Sequence, residues 1–114
     1  MSFTFRMVTK EPVLTFSLYG DLVDRNAAHE FLDEVSKAMD DGKNNVIIEL
    51  SELRYMNSTG LNVLINILTK ARKNGGDLVI CGLTRKIQEL LVVTKLNSVF
   101  TVTDTSEEAA AKFN

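Results

Sequence analysis

Ser58 and Thr59 are the side chains of this chain best placed to do chemistry. They stand in Asn57-Ser58-Thr59-Gly60-Leu61, between the apolar run Val46-Ile47-Ile48-Glu49-Leu50 and a segment in which Leu61, Leu64, Ile65, Leu68 and Ala71 recur at helical spacing. Two hydroxyls at the start of a helix meet the positive end of its dipole, where anions and phosphate groups are favoured. One reading makes Asn57 or Ser58 the N-cap, its side-chain oxygen accepting a backbone N–H that the helix leaves without a partner. Another makes the segment a phosphate site: Gly60 would leave backbone N–H groups uncovered, and the first turn carries no acidic residue to repel an anion. The two are compatible, since a hydroxyl at a helix start can also be a kinase substrate.

Nucleophilic catalysis finds no support in the same residues. Ser58 would need a base, and the single histidine, His29, is expected on the exposed face of another helix. No Gly-x-Ser-x-Gly elbow is present, and no glycine-rich phosphate loop with lysine. Histidine and cysteine are too few to assemble a zinc site. A binding module without cofactor or metal is expected, not an enzyme.

The elements that must position these hydroxyls can be read along the chain. Phe3, Phe5 and Met7 alternate with polar residues, Lys10-Glu11-Pro12 turns the chain, and Val13–Leu18 returns as a second strand closed by Gly20. A helix is expected from about Asn26 to Asp40, with Ala28, Phe31, Leu32, Val35 and Met39 on one face. A strand over Asn45–Leu50, the helix after Asn57 and a strand over Leu78–Cys81 make a right-handed parallel crossover, with Asn74-Gly75-Gly76 ending the helix. Thr84 can cap a helix carrying Ile87, Leu90, Leu91 and Thr94. A short strand over Val99–Val102 precedes a last helix opened by Thr105 and Glu108 as a capping box. The expected architecture is a single α/β domain over residues 1–114, a mixed sheet opened by an N-terminal hairpin with about four helices packed on it. Three loops, Gly20–Arg25, Glu52–Thr59 and Gly82–Thr84, would then meet at the edge where the parallel strands end, the usual place for ligands and partners of such sheets.

Composition narrows the function classes. At 45% hydrophobic and 25% charged residues, the chain matches an ordinary globular domain. A net charge of −2 gives no reason to expect nucleic acid or an anionic membrane. The densest basic cluster, Lys70-Ala71-Arg72-Lys73, falls at a helix end and complements its dipole. No apolar run approaches the roughly 20 residues that span a bilayer, and the N-terminus lacks a signal-peptide pattern. The lone Cys81, within an apolar run, reads as a buried structural thiol. A cytoplasmic setting is expected.

Taken in order, these features resemble the STAS domain, in particular the bacterial anti-sigma-factor antagonists. Asn57-Ser58-Thr59-Gly60-Leu61 is similar to that group's Asp-Ser-Ser/Thr-Gly-Leu, and Gly20-Asp21-Leu22 is similar to its Gly-Glu-Leu/Ile at the end of the second strand. Asn26-Ala27 at the following helix start and Asn74-Gly75-Gly76-Asp77-Leu78 extend the likeness along the chain. The resemblance implies that Ser58 is phosphorylated by an anti-sigma factor doubling as a serine kinase, with a cognate phosphatase to reset it. It also implies a partner surface of Asp21, Asp24, Asn57, Ser58, Thr59, Gly60, Leu61 and Asn62 on a domain that is a monomer when free. The chain departs from the pattern at Asn57, where Asp is usual, and at Val23, where another Asp is common. The alternative role within the family is a STAS subunit or scaffold of another complex, such as a lipid-transport system, acting by constitutive binding.

Overall fold

Alternating apolar and polar residues build the first two strands, β1 (Phe3–Lys10) and β2 (Val13–Leu22). They pair antiparallel from Phe3 opposite Gly20 to Lys10 opposite Val13. The computed structural model describes residues 2–10 and 13–113, so most of the turn expected at Lys10-Glu11-Pro12 lies outside the described residues. The remaining elements are α1 (His29–Asp40), β3 (Asn45–Glu49), β4 (Leu53–Met56), α2 (Ser58–Lys73), β5 (Asp77–Cys81), α3 (Arg85–Val93), β6 (Thr101–Thr103) and α4 (Ser106–Ala111). The sheet runs β1-β2-β3-β5-β6, with β4 paired to the far end of β2. Every pairing except β1 with β2 is parallel.

Burial explains why the central strands are apolar without alternation. Val46, Ile47 and Ile48 of β3 and Leu78–Cys81 of β5 are all buried, because helices cover both faces. One face packs Leu14, Phe16, Leu18, Val46, Ile48, Leu78 and Ile80 against the apolar sides of α1, α2 and α3. There the ring of Phe16 meets Phe31 edge-on, with centroids 5.3 Å apart, and Phe5 joins both. On the other face α4 lays Ala109 against Ile47, Val79 and Cys81. Burial pushes the Cys81 thiol up to about 11, with Glu49 and Glu107 adding to the shift, so it stays protonated.

Strands β3 and β5 differ from the sequence expectation by one residue each, as Asn45–Glu49 and Asp77–Cys81, and four other differences are larger. Gly20 does not close β2: the strand continues to Leu22, with β4 taking over the side that β3 leaves at Ser17. Helix α1 starts at His29 and not Asn26, because the Asp24 carboxylate accepts the Ala27 N–H at 2.7 Å and holds the chain in a turn first. The final strand is Thr101–Thr103, two residues later than Val99. The largest miss is β4, expected as part of a loop. Its inward residues are Leu53 and Met56 with two exposed residues between, so it shows no period of two. A bulge is the cause: Gly20 faces Leu53 and Asp21 faces Tyr55, which leaves Arg54 as the extra residue.

The helix ends were legible. Thr84 Oγ1 accepts the Ile87 N–H at 3.4 Å and Thr105 Oγ1 accepts the Glu108 N–H at 3.1 Å. The basic cluster at the end of α2 also pairs locally, Lys70 with Asp40 at 3.6 Å and Arg72 with Asp77 at 3.1 Å. Among the described residues no helix is long and apolar enough to cross a membrane.

Candidate functional site

Because β2, β3, β4 and β5 run parallel, their C-terminal ends share one edge of the sheet, and the turns into α1, α2 and α3 emerge there. Asn57 is the N-cap of α2, in extended backbone conformation. Its Oδ1 accepts the Gly60 N–H at 3.0 Å, and its Nδ2 donates to the Val23 carbonyl at 3.1 Å. The first helical bond runs from the Leu61 N–H to the Asn57 carbonyl at 2.9 Å. Ser58 and Thr59 therefore open the helix with exposed side chains, at positions whose own N–H groups have no carbonyl one turn back within the helix. The first turn carries no acid, and Lys70, Arg72 and Lys73 occupy the last. The positive end of the dipole thus lies open beside two hydroxyls.

Gly60 has a different purpose from the one the sequence suggested. Its N–H is occupied by Asn57, not uncovered. A Cβ at Gly60 would lie 2.1 Å from the Leu22 carbonyl oxygen and 2.8 Å from Met56 Cγ. Glycine is needed so that α2 can start against the end of β2.

Asp21 and Arg54 form the other clasp between these segments. The bulge frees Arg54, whose Nε and terminal nitrogen donate to the two Asp21 carboxylate oxygens at 3.0 and 2.6 Å. Asp21 is only 5% exposed, and the bidentate hydrogen bonds from Arg54 hold its carboxyl below the usual carboxylate range against the opposing effect of burial. A depressed folded-state pKa contributes stability above the ordinary aspartate value near 3.8 and loses it as pH falls through the folded one. The Tm of the native protein should therefore drop more steeply below about pH 4 than that of Asp21→Asn. Parallel acid profiles for the two proteins would refute this role for the pair.

A family profile described as the STAS domain matches residues 4–109. The chain belongs to the STAS domain family. Among relatives of this STAS domain, BtrV of Bordetella bronchiseptica, named as an anti-sigma factor antagonist, is 30% identical over 92 residues, covering 81% of this chain and 79% of that protein. A crystal structure from Thermotoga maritima, described in the same terms, superposes with a TM-score of 0.86 at 25% identity, covering 95% of this chain and 92% of the other. The phosphorylated form of the Bacillus cell fate determinant SpoIIAA shares the fold, with a TM-score of 0.76 at 17% identity, over 97% of this chain and all of that one, 100%.

Within this STAS domain, the residues expected at the partner surface divide into two groups. Asp24, Ser58, Thr59 and Asn62 are exposed, as is Asn66 one turn further along, and Asn57 is half-buried. Asp21, Gly60 and Leu61 are buried. Their side chains thus lie behind the exposed ones, where the resemblance implied surface residues. His29, offered as the only possible base, is exposed and pairs with Asp33 one turn on, at 3.3 Å. Among the described residues no His, Cys, Asp and Glu side chains are grouped closely enough to hold a metal ion.

Two neighbours of the site were not singled out in the sequence. Arg54 gave no signal, because its partner lies 33 residues away. Tyr55 is 49% exposed on β4 and borders a shallow hollow of about 310 Å³ with Met56, Ile87, Leu90 and Val93. Val92 and Val93, at 61% and 79% exposed, were readable as apolar residues off the buried stripe of α3, and that was the available signal.

Proposed function

We propose that this STAS domain is an anti-sigma factor antagonist that docks on its anti-sigma factor through the first turn of α2 and the loop after β2. The observation that carries the reading is the exposed Ser58 hydroxyl at an open helix N-terminus, in a chain whose relatives bear that name. The anti-sigma factor doubles as a serine kinase acting on Ser58, and a cognate phosphatase restores the hydroxyl. The domain works by binding rather than catalysis, as a monomer in the cytoplasm. SpoIIAA, which shares the fold, has a phosphorylated form, and that supports a phosphate as the switch.

Electrostatics supports the direction of the switch. A phosphate adds about −1.5 to −2 charges. Within the domain the dipole of α2 tolerates that charge, so the fold need not change. At an interface the phosphate must be desolvated against whatever acidic groups the partner presents, and like charges brought together there cost several kcal/mol. Asp21 adds no free charge to this balance, because Arg54 sits on it.

The test is intact-mass spectrometry after incubation with ATP and a purified anti-sigma factor serine kinase from the same organism. One phosphate should appear on the native protein and none on Ser58→Ala. A phosphate retained in Ser58→Ala, or none on the native protein while the complex forms and persists with ATP, would sink the switch.

A further inference from the structure

The loop that leaves β2 is tied to the phosphoacceptor segment by a side chain whose two ends do different work. Pairing of β2 with β4 stops at Leu22 opposite Met56. Beyond it Val23 begins an irregular stretch that lasts until α1 starts at His29, and Asp24, Arg25 and Asn26 are exposed within it. Asp24 ties that stretch to itself through the Ala27 N–H. The Asn57 amide ties it to α2: Nδ2 holds the Val23 carbonyl, 34 residues away in sequence, while Oδ1 holds the Gly60 N–H. The two partners also fix which way the amide points, since a carbonyl needs a donor and an N–H needs an acceptor.

We propose that Asn57 is a positioning residue, fixing the Val23–Ala28 loop against Ser58 so that loop and helix start present one docking surface. This rests on the reading of Ser58 as the docking site. Asparagine is the residue this requires. An ionised aspartate offers oxygen acceptors only, so it can cap Gly60 but must face the Val23 carbonyl with a like partial charge. A serine caps through one oxygen that is too short to serve both partners at once. The consequence runs against the STAS signature itself: restoring its usual aspartate impairs this protein.

Amide hydrogen exchange on the free protein and affinity for the anti-sigma factor kinase test the idea together, using Asn57→Ser and Asn57→Asp. Both variants keep a cap, so Gly60, Leu61 and the interior of β5 should retain native protection. The Ala27 and His29 amides, whose N–H groups are bonded to Asp24 and Asn26 of the loop, should exchange roughly three- to tenfold faster, the size of one lost hydrogen bond. Affinity should fall by a similar factor, while Tm falls by no more than the roughly 3–7 °C that one lost hydrogen bond accounts for. Native exchange in the loop of both variants overturns the proposal, as does faster exchange with undiminished affinity. Loss of protection at Gly60 and Leu61 alone also overturns it, because that marks a cap and nothing more. If the native protein binds no better than Ser58→Asp, the functional reading fails instead, and loop exchange alone then decides whether Asn57 fixes the loop.

Discussion

Gly60→Ala should lower stability by about 2 kcal/mol, with Tm falling by roughly 10 °C. The new Cβ would stand 2.1 Å from the backbone carbonyl oxygen of Leu22, the last residue of β2 paired with β4, and 2.8 Å from Met56 Cγ. Met56 can turn aside, but Leu22 cannot move without loosening the β2–β4 pairing. The start of α2 must back away instead. Overpacking of this kind costs about 1–3 kcal/mol, and the helix propensity that alanine brings, about 1 kcal/mol in a helix interior, offsets less in a first turn. A suitable control is Gly42→Ala. Gly42 has φ +88 with nothing within 4 Å of a Cβ, so it reports the cost of left-handed backbone alone, about 1 kcal/mol. Thermal unfolding that ranks Gly42→Ala as the more damaging of the two would show that α2 does not start where the structure puts it. The same displacement should weaken partner binding beyond the stability loss, because it carries Ser58 away from the Val23–Ala28 loop.

What could be read from the sequence was what depends on neighbours a few residues away. Thr84 and Thr105 announced their helices because a cap and the N–H it accepts are three residues apart. The apolar runs of β3 and β5 were legible as strands of a parallel crossover, and the structure adds that α4 covers their second face. Ser58 was legible for the same reason, as a hydroxyl between an apolar strand and an amphipathic helix. What depends on pairing across the chain was not. A bulge at Arg54 hid β4 by removing its alternation, and that bulge is also what brings Arg54 to Asp21. Asp21, counted by resemblance among the surface residues, is thereby buried and neutralised. Gly60 could be recognised as special but not explained, because the atom that excludes a side chain belongs to Leu22, 38 positions earlier.

Ser58→Asp should weaken binding to the anti-sigma factor by about 100-fold or more while leaving Tm unchanged or slightly raised. The stability side follows from where the charge sits. Ser58 is exposed and Asn57 keeps the cap, so the substitution removes no internal bond that the fold relies on. A carboxylate in the first turn gains about 0.3–1 kcal/mol from the helix dipole, and no acid in that turn opposes it. The binding side follows from desolvation, since several kcal/mol of like-charge and desolvation cost at an interface corresponds to two or more orders of magnitude in affinity. Arg54 brings no uncompensated positive charge to relieve that cost, because its guanidinium is paired with the Asp21 carboxylate. Ser58→Ala should bind as the native protein does, which separates the effect of charge from that of losing a hydroxyl. Aspartate carries one charge where phosphoserine carries up to two, so the phosphorylated protein should bind more weakly still. Calorimetry of the three proteins against one anti-sigma factor, beside their melting curves, decides the matter. Equal affinities for Ser58→Asp and Ser58→Ala, or a Ser58→Asp protein that unfolds, would mean that charge at this helix start is not what parts the domain from its partner.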